Sequence, residues 1–182
     1  PAQALEHFNR LIDQVLTNVQ SGREMEEIFL QMEKQHVISA MAQIFGTSNF
    51  LWEDFLRMQY KNLFPVLQDI NTVAAWKSGD QMETELTARM DRITGYDRQK
   101  KVLNQYKDRE MFRVDMDQIL AKKEDFRAFA RALTTLAEVV LNTAYRICSA
   151  ELQPRYGRPS IDSGALCEFC ICALGKCGGR EL

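Results

Sequence analysis

The sequence predicts an all-α protein: a multi-helix bundle with a long C-terminal spine helix, ending in one strand and a glycine-rich turn. Three observations carry this reading. Apolar residues recur at helical spacing from Leu5 to Leu152. Helix-start signals stand before the runs, with Ser21 three residues ahead of Glu24 and Asp125 just ahead of Phe126. Gly46, Gly79, Gly95 and Pro154 fall where one run gives way to the next.

The first helix carries Leu5, Phe8, Ile12, Val15, Leu16 and Val19 on one stripe. Ser21 with Glu24 spells a capping box that opens a second, in which Ile28, Phe29 and Met32 are apolar. A third runs from Gln35 to Phe45, with Gly46 as its stop. Ser48 caps a fourth that turns Phe50, Leu51, Phe55 and Leu56 inward. Tyr60 to Ile70 reads as helical, limited or kinked by Pro65. Lys77-Ser78-Gly79-Asp80 is a break, after which Met82, Leu86, Met90 and Ile93 repeat at helical intervals until Gly95 interrupts.

Arg98 to Lys122 reads as a long charged helix with Val102, Leu103, Tyr106, Phe112, Met116, Ile119 and Leu120 as its apolar share. Asp125 opens the spine. Phe126, Phe129, Ala130, Leu133, Leu136, Ala137, Val140, Leu141, Ala144, Ile147, Cys148 and Leu152 predict a wide buried face over about seven turns. Pro154 and Pro159 end it, Arg155 to Ser160 is a loop, and Asp162-Ser163-Gly164 marks a turn. The apolar run Leu166 to Leu174 then reads as a buried strand. Composition shifts near residue 155, which divides a helical scaffold (1–154) from a loop, strand and turn (155–182).

Composition sets bounds on function. The 182 residues suffice for one substantial core, and 46% hydrophobic with 26% charged content is that of a soluble globular protein. A net charge of −2 gives no bias toward nucleic acid. No stretch approaches the roughly 18 apolar residues of a membrane span. The first residues show no charged head with an apolar block behind it, so no secretory signal is expected. Cysteines number five, four of them between Cys167 and Cys177, which favours a reducing cytoplasm over a disulfide scaffold.

Each candidate site has a plain reading beside it. Cys167, Cys170, Cys172 and Cys177 contain a C-x-x-C that suggests zinc. In a strand, however, Cys170 and Cys172 share one face while Cys167 takes the other, and their neighbours are core residues, so cysteine as a small buried hydrophobe is expected. Gly175, Lys176, Gly178 and Gly179 follow the strand directly, an order that delivers backbone N–H groups to a phosphate. The spacing is not that of a Walker A loop. Arg98, Lys100, Lys101, Lys107, Arg109 and Arg113 alternate with Asp97, Asp108, Glu110, Asp115 and Asp117, which reads as a solvated helix face. Met25, Met32, Met41, Met82 and Met90 are core filler at helical spacing, and His7 and His36 are surface or helix-packing residues.

Several segments together resemble a known family. Ile171-Cys172-Ala173-Leu174-Gly175-Lys176-Cys177-Gly178-Gly179-Arg180-Glu181-Leu182 is similar to the G-x-G-K-L-G-G-R-E-L signature of glutamine synthetase adenylyltransferases. Arg109-Glu110-Met111-Phe112-Arg113-Val114 with Asp117-Gln118-Ile119-Leu120 resembles that family's R-E-x-L-R-I…D-L helix. Leu133 to Glu138 resembles its L-S-x-L-A-E segment, and Arg155-Tyr156-Gly157-Arg158-Pro159 its R-Y-G-x-P loop. Ile44 to Leu51, with Leu63, looks like the helical stretch before one of that family's two catalytic domains, slightly more like that before the second, adenylylating, one than that before the deadenylylating one. Two departures stand out: Ala173 replaces a glycine and Cys177 a leucine, and both keep the position small or apolar.

The resemblance implies a polymerase-beta-type nucleotidyltransferase that moves AMP from ATP to a tyrosine of glutamine synthetase, with a sister domain that removes it by phosphorolysis. It implies Mg²⁺ on a D-x-D a few residues beyond the glycines, phosphate contacts at Gly175, Lys176, Gly178 and Gly179, and glutamine synthetase and a PII-type signalling protein as partners. The chain is thus expected to be a piece of the enzyme, mainly helical scaffold and inactive alone, with no nucleic acid and no membrane as partners. The competing expectations are a stand-alone helical interaction module and a cysteine-metal regulatory protein.

Overall fold

A computed structural model of the chain describes residues 2–18, 21–47, 53, 76–120, 125–167 and 169–174. Six helices are described: α1 (Ala2–Asn18), α2 (Gly22–Met32), α3 (Gln35–Thr47), α4 (Gly79–Met90), α5 (Tyr96–Leu120) and α6 (Phe126–Tyr156). The all-α class predicted from periodicity is what the chain adopts. The helices expected after Ser48 and over 60–70 lie outside the described residues, as does Val19.

The residues fall into two compact units. The first holds residues 1–76 and 111–124, and the second 77–110 and 125–182, so α5 contributes its start to one and its end to the other. In the first unit, Leu11 and Val15 of α1 pack with Ile28 of α2, with Met41, Ile44 and Phe45 of α3, and with Phe112 and Met116 of α5. His7 is buried here: its Nδ1 donates to the Phe45 carbonyl at 3.1 Å, and the two rings meet edge to face at 6.5 Å. It is a packing histidine, while His36 is exposed.

In the second unit α4 packs on α6. Ser78 caps α4 through a capping box, with the Gln81 N–H on its hydroxyl at 3.2 Å and the Gln81 side chain returning to the Ser78 N–H at 2.9 Å. Met82, Leu86 and Met90 are buried, on the predicted four-residue repeat. Gly79 comes close to α6: a Cβ there would stand 3.3 Å from Thr135 Cγ2. Gly95 takes φ 97° and separates α4 from α5 as expected. Asp125 caps α6 by accepting from Ala128 N at 3.0 Å.

Several expectations need correction. In α1 the stripe is shifted: Leu11 is fully buried, and Leu5 and Leu16 are exposed. Gly46 does not stop α3, because a glycine ends a helix by turning to positive φ, and Gly46 is helical. Pro154 sits inside the last turn of α6, where it removes one hydrogen bond without breaking the helix. The stop is Gly157, at φ 75° and ψ −175°, with its N–H on the Gln153 carbonyl at 2.9 Å. The buried seam of α6 is narrower than predicted, consisting of Ala130, Ala132, Leu136, Val139, Thr143 and Ile147. Phe126, Leu141 and Leu152 are exposed. A helix apolar around most of its circumference does not disclose which side is covered.

The two glycines predict opposite outcomes. Gly157 occupies a region essentially reserved for glycine, so Gly157→Ala is expected to cost ~1–3 kcal/mol in urea unfolding. Its surroundings are open to a Cβ, so the cost lies in the backbone. Gly46→Ala, helical and equally open, is expected to gain ~0.5–1 kcal/mol.

Candidate functional site

The predicted phosphate turn, Gly175, Lys176, Gly178 and Gly179, lies outside the described residues. The segment leading to it is described. After Gly157 the chain turns at Asp162-Ser163-Gly164, with Gly164 at φ 80° and its N–H on the Ile161 carbonyl at 2.8 Å. Ile161 N donates to Ala165 O and Cys167 N to Pro159 O, both at 2.9 Å. One antiparallel bridge, Ser160 to Leu166, closes this turn. The Asp162–Gly164 turn therefore reverses the chain, and Pro159 at the end of the R-Y-G-x-P loop accepts from the returning tail.

Leu166 to Leu174 was expected as a buried strand. Among its described residues no ladder forms beyond that bridge, and Leu166, Phe169, Ile171 and Leu174 are exposed. A strand needs a neighbour for its N–H and C=O groups, and the described chain provides a single pair. One anchor holds the tail to the helices: the Phe169 ring stacks on Tyr145 of α6 at 5.1 Å between centroids and 7° between planes. Cys170 and Cys172 lie on one side, their Sγ atoms 3.9 Å apart, as strand alternation predicts, but with Cys167 they are exposed free thiols and not the buried hydrophobes expected. Among the described residues, no three His, Cys, Asp or Glu side chains gather as a metal site. The sequence spells Asp-x-Asp at Asp115-Met116-Asp117. These residues are helical, where positions two apart diverge, and Met116 is core.

Sequence reasoning missed a polar cluster centred on Tyr106. Glu110 is 2% exposed. Its Oε1 accepts from Lys77 Nζ at 2.9 Å and from Arg109 Nη2 at 3.1 Å, and Lys77 also reaches Glu85 at 2.6 Å. Lys77 precedes the α4 cap, so the carboxylate ties the start of α4 to the middle of α5. Arg89 and Arg109 each place a guanidinium over the Tyr106 ring, 5.4 Å from its centroid, in cation–π contact. The Tyr106 hydroxyl donates to the Met82 carbonyl at 3.3 Å. Burial, then the nearby Glu110 and Glu85 charges, hold the phenol well above the usual tyrosine range. Burial and the neighbouring Arg109 charge lower the Arg89 guanidinium.

This corrects the solvated-face reading of α5. Arg98, Lys100 and Lys101 are exposed and Lys107 pairs with Asp108 at 3.0 Å, but Glu110 and Asp117 are buried. The pairing of Lys77 with Glu110 spans 33 residues, and no spacing rule along one helix reveals it. The cluster offers no free nucleophile or base. It is a neutralised hub that fixes α4 against α5.

A groove of about 190 Å³ opens beside α6, lined by Thr87, Met90, Gln99, Thr143, Arg146 and Ile147 among others. It falls below the ~300–1,000 Å³ of ordinary small-molecule sites. Arg146 donates to Thr143 Oγ1 there at 3.3 Å. No described helix is long and apolar enough to cross a membrane.

Removing Lys77 leaves Glu110 with Arg109 alone. Lys77→Met is expected to cost ~2–4 kcal/mol, below or at the ~3–5 kcal/mol range of a buried pair broken outright. Adding Glu110→Leu should restore most of it, read as a double-mutant cycle in urea. Tyr106 predicts an alkaline effect. Its folded pKa is raised, so above about pH 10 the unfolded chain loses this proton first. The stabilisation is complete below pH 10 and is lost as pH rises beyond it. Tyr106→Phe is expected to flatten that loss and to remove one late-ionising tyrosine from an ultraviolet pH titration of the native protein.

Comparison with known proteins adds sequence relationships. The sequence model described as glutamate-ammonia ligase adenylyltransferase matches residues 38–182. A bifunctional glutamine synthetase adenylyltransferase/adenylyl-removing enzyme of Burkholderia mallei is 32% identical over 117 residues, 60% of this chain and 12% of that protein. The protein of the same name from Alteromonas mediterranea is 35% identical over 82 residues, 45% of this chain and 8% of its own length. The Bordetella pertussis protein is 41% identical over 64 residues, 35% of this chain and 7% of its own. The chain thus spans about an eighth of the first relative's length. No solved structure matches.

Proposed function

Because the chain belongs to the glutamate-ammonia ligase adenylyltransferase family, we propose that it is the helical scaffold, and the entry into a nucleotidyltransferase domain, of an enzyme that transfers AMP from ATP to a tyrosine of glutamine synthetase. The observation that carries this is the family match over residues 38–182, which takes in the chain from within α3 through α4, α5 and α6 to the glycine-rich residues 175–179. In this reading residues 1–154 are scaffold and 155–182 lead into the catalytic domain.

The chemistry asked of these residues is modest. Backbone N–H groups at Gly175, Gly178 and Gly179, with the Lys176 ammonium, bind the nucleotide phosphates at the end of a strand. Bound Mg²⁺ would supply charge neutralisation for the leaving pyrophosphate and activation of the attacking oxygen. Its ligands belong to the part of the enzyme beyond these residues. The scaffold contributes orientation: the Tyr106 hub fixes α4 on α5, and α6 delivers the Gly157 turn from which the tail departs. Glutamine synthetase is the protein substrate, a PII-type protein a regulatory partner, and the cytoplasm the compartment.

The purified 182-residue chain is expected to transfer no labelled AMP from ATP to glutamine synthetase. The gene's reading frame extended past Leu182 through the next folded domain is expected to do so in the presence of Mg²⁺. Labelling by the short chain, or none by the longer one, would remove this reading.

A further inference from the structure

The tail carries three exposed thiols within six residues, Cys167, Cys170 and Cys172. The sequence alone couples the first two, because Cys167-Glu168-Phe169-Cys170 spells a C-x-x-C. The structure couples the last two instead. Cys170 Sγ and Cys172 Sγ stand 3.9 Å apart, near enough for one thiol to donate to the other. Cys167 is tied elsewhere. It follows the Ser160–Leu166 bridge, and its N–H donates to the Pro159 carbonyl at 2.9 Å. Phe169, stacked on Tyr145, stands between it and the pair in the chain. Alternation along an extended backbone puts Cys167 on the face opposite Cys170 and Cys172.

Two thiols alone do not make a structural zinc site, which takes four ligands. Among the described residues no third His, Cys, Asp or Glu gathers with them. The chemistry open to two adjacent exposed thiols is exchange with a disulfide. One thiolate attacks a low-molecular-weight disulfide and forms a mixed disulfide. The small thiol released takes up the proton that the attacking sulfur gave up. The second thiolate then attacks the protein sulfur of that mixed disulfide. The Cys170–Cys172 bond closes, and a second small thiol leaves with the second proton. The two cysteines lose two electrons, and the small disulfide gains them.

Backbone geometry sets the character of this bond. Residues two apart in an extended strand are about 6.6 Å apart, at the upper end of the ~4.4–6.8 Å that a disulfide spans between Cα atoms. Their Cβ atoms must close to about 3.5–4.5 Å, so the backbone bends at Ile171. A strand laddered to its neighbours resists such a bend. Among the described residues, 169–174 form no ladder, so the tail can yield to it. A disulfide formed under strain in an exposed segment is of the labile, regulatory kind. From this arrangement we infer that Cys170 and Cys172 are a reversible thiol–disulfide exchange pair. Its oxidant is a low-molecular-weight disulfide, and Cys167 stands outside it. Reduction leaves the tail extended, and oxidation bends it at Ile171.

The test uses the 182-residue chain, reduced, freed of reductant and exposed while folded to oxidised glutathione as the probe. Remaining thiols are blocked with iodoacetamide, and the chain is cut with chymotrypsin and read by mass spectrometry. Cleavage after Phe169 parts Cys167 from the pair. The expected product is a peptide holding Cys170 and Cys172, lighter than its reduced form by two hydrogen atoms. Cys167 should appear alkylated on a separate peptide, and dithiothreitol should reverse the mass loss. Cys170→Ser and Cys172→Ser should each retain glutathione on the remaining sulfur, because the thiol that expels it is gone. Cys167→Ser should leave the product unchanged. All three positions lie in the exposed tail, and an unchanged helical spectrum confirms that the helices persist in each variant. A Cys167–Cys170 bond overturns the inference and returns the assignment to the C-x-x-C. A bond to Cys177, glutathione retained on both Cys170 and Cys172 of the unaltered chain, or survival of both as free thiols overturns it as well. None of these readings involves AMP transfer, so the inference and the proposed function stand or fall separately.

Discussion

The second unit is organised by one helix whose apolar residues exceed what its neighbours cover. Helix α6 runs 31 residues, from its Asp125 cap to the Gly157 turn. One side of it is closed by α4, against which Gly79 allows a close backbone approach. The opposite side holds Leu141, Tyr145, Leu152 and Tyr156 in water except where Phe169 stacks. Burying each such side chain is worth ~1.5–3 kcal/mol, so leaving the stripe bare forgoes stabilisation comparable with the whole margin of a small domain. The helix holds without it because both ends are capped and the seam is continuous.

The polar hub shows the opposite economy, in which a costly group is retained because it is fully partnered. Glu110, at 2% exposure, is a carboxylate whose burial without partners would be costly. Two cations share its Oε1, one arriving from the residue before the α4 cap and the other from its own helix. Such a pair contributes little net stability compared with a hydrophobic replacement. Its effect is on alignment, since Lys77 meets both Glu85 and Glu110 in one register of α4 on α5. Tyr106 locks the same register through the Met82 carbonyl. The R-E-x-x-x segment that resembles the family's motif is therefore structural at its first two positions, and at Phe112 it enters the core of the first unit.

Helix existence was legible because it depends on local signals. The break at Lys77–Asp80, the cap at Asp125, the Met82–Leu86–Met90 repeat and the Gly95 break are all read from a few neighbouring residues, though the Ser78 capping box was not. Helix phase was less so. In α1 the true seam passes through His7 and Leu11, and a histidine does not register as a core residue until its Nδ1 proton finds the Phe45 carbonyl. In α6 apolar residues cover most of the circumference, and periodicity cannot choose between two apolar faces. The Tyr106 hub was illegible for a different reason. Charge patterning describes neighbours three or four apart on one helix, and the decisive ion pair joins residues 33 apart. Of the candidate site, the Gly164 turn and the same-side placement of Cys170 and Cys172 were readable, because each follows from local backbone geometry.

The strand expected at Leu166–Leu174 exposes a limit of apolar runs as evidence. Hydrophobicity says that a segment will be buried, not by what, and a β segment needs a partner backbone as well as a covered face. The described chain supplies the segment with one bridge and one ring contact. A glycine turn behind it can present N–H groups to a phosphate in a fixed direction only when the strand leading into it is itself fixed. The proposed phosphate binding at Gly175, Lys176, Gly178 and Gly179 therefore requires a backbone partner for Leu166–Leu174. In the proposed reading the helical scaffold's part is to hold the start of that segment, which it does through the Ser160–Leu166 bridge and the stacking of Phe169 on Tyr145.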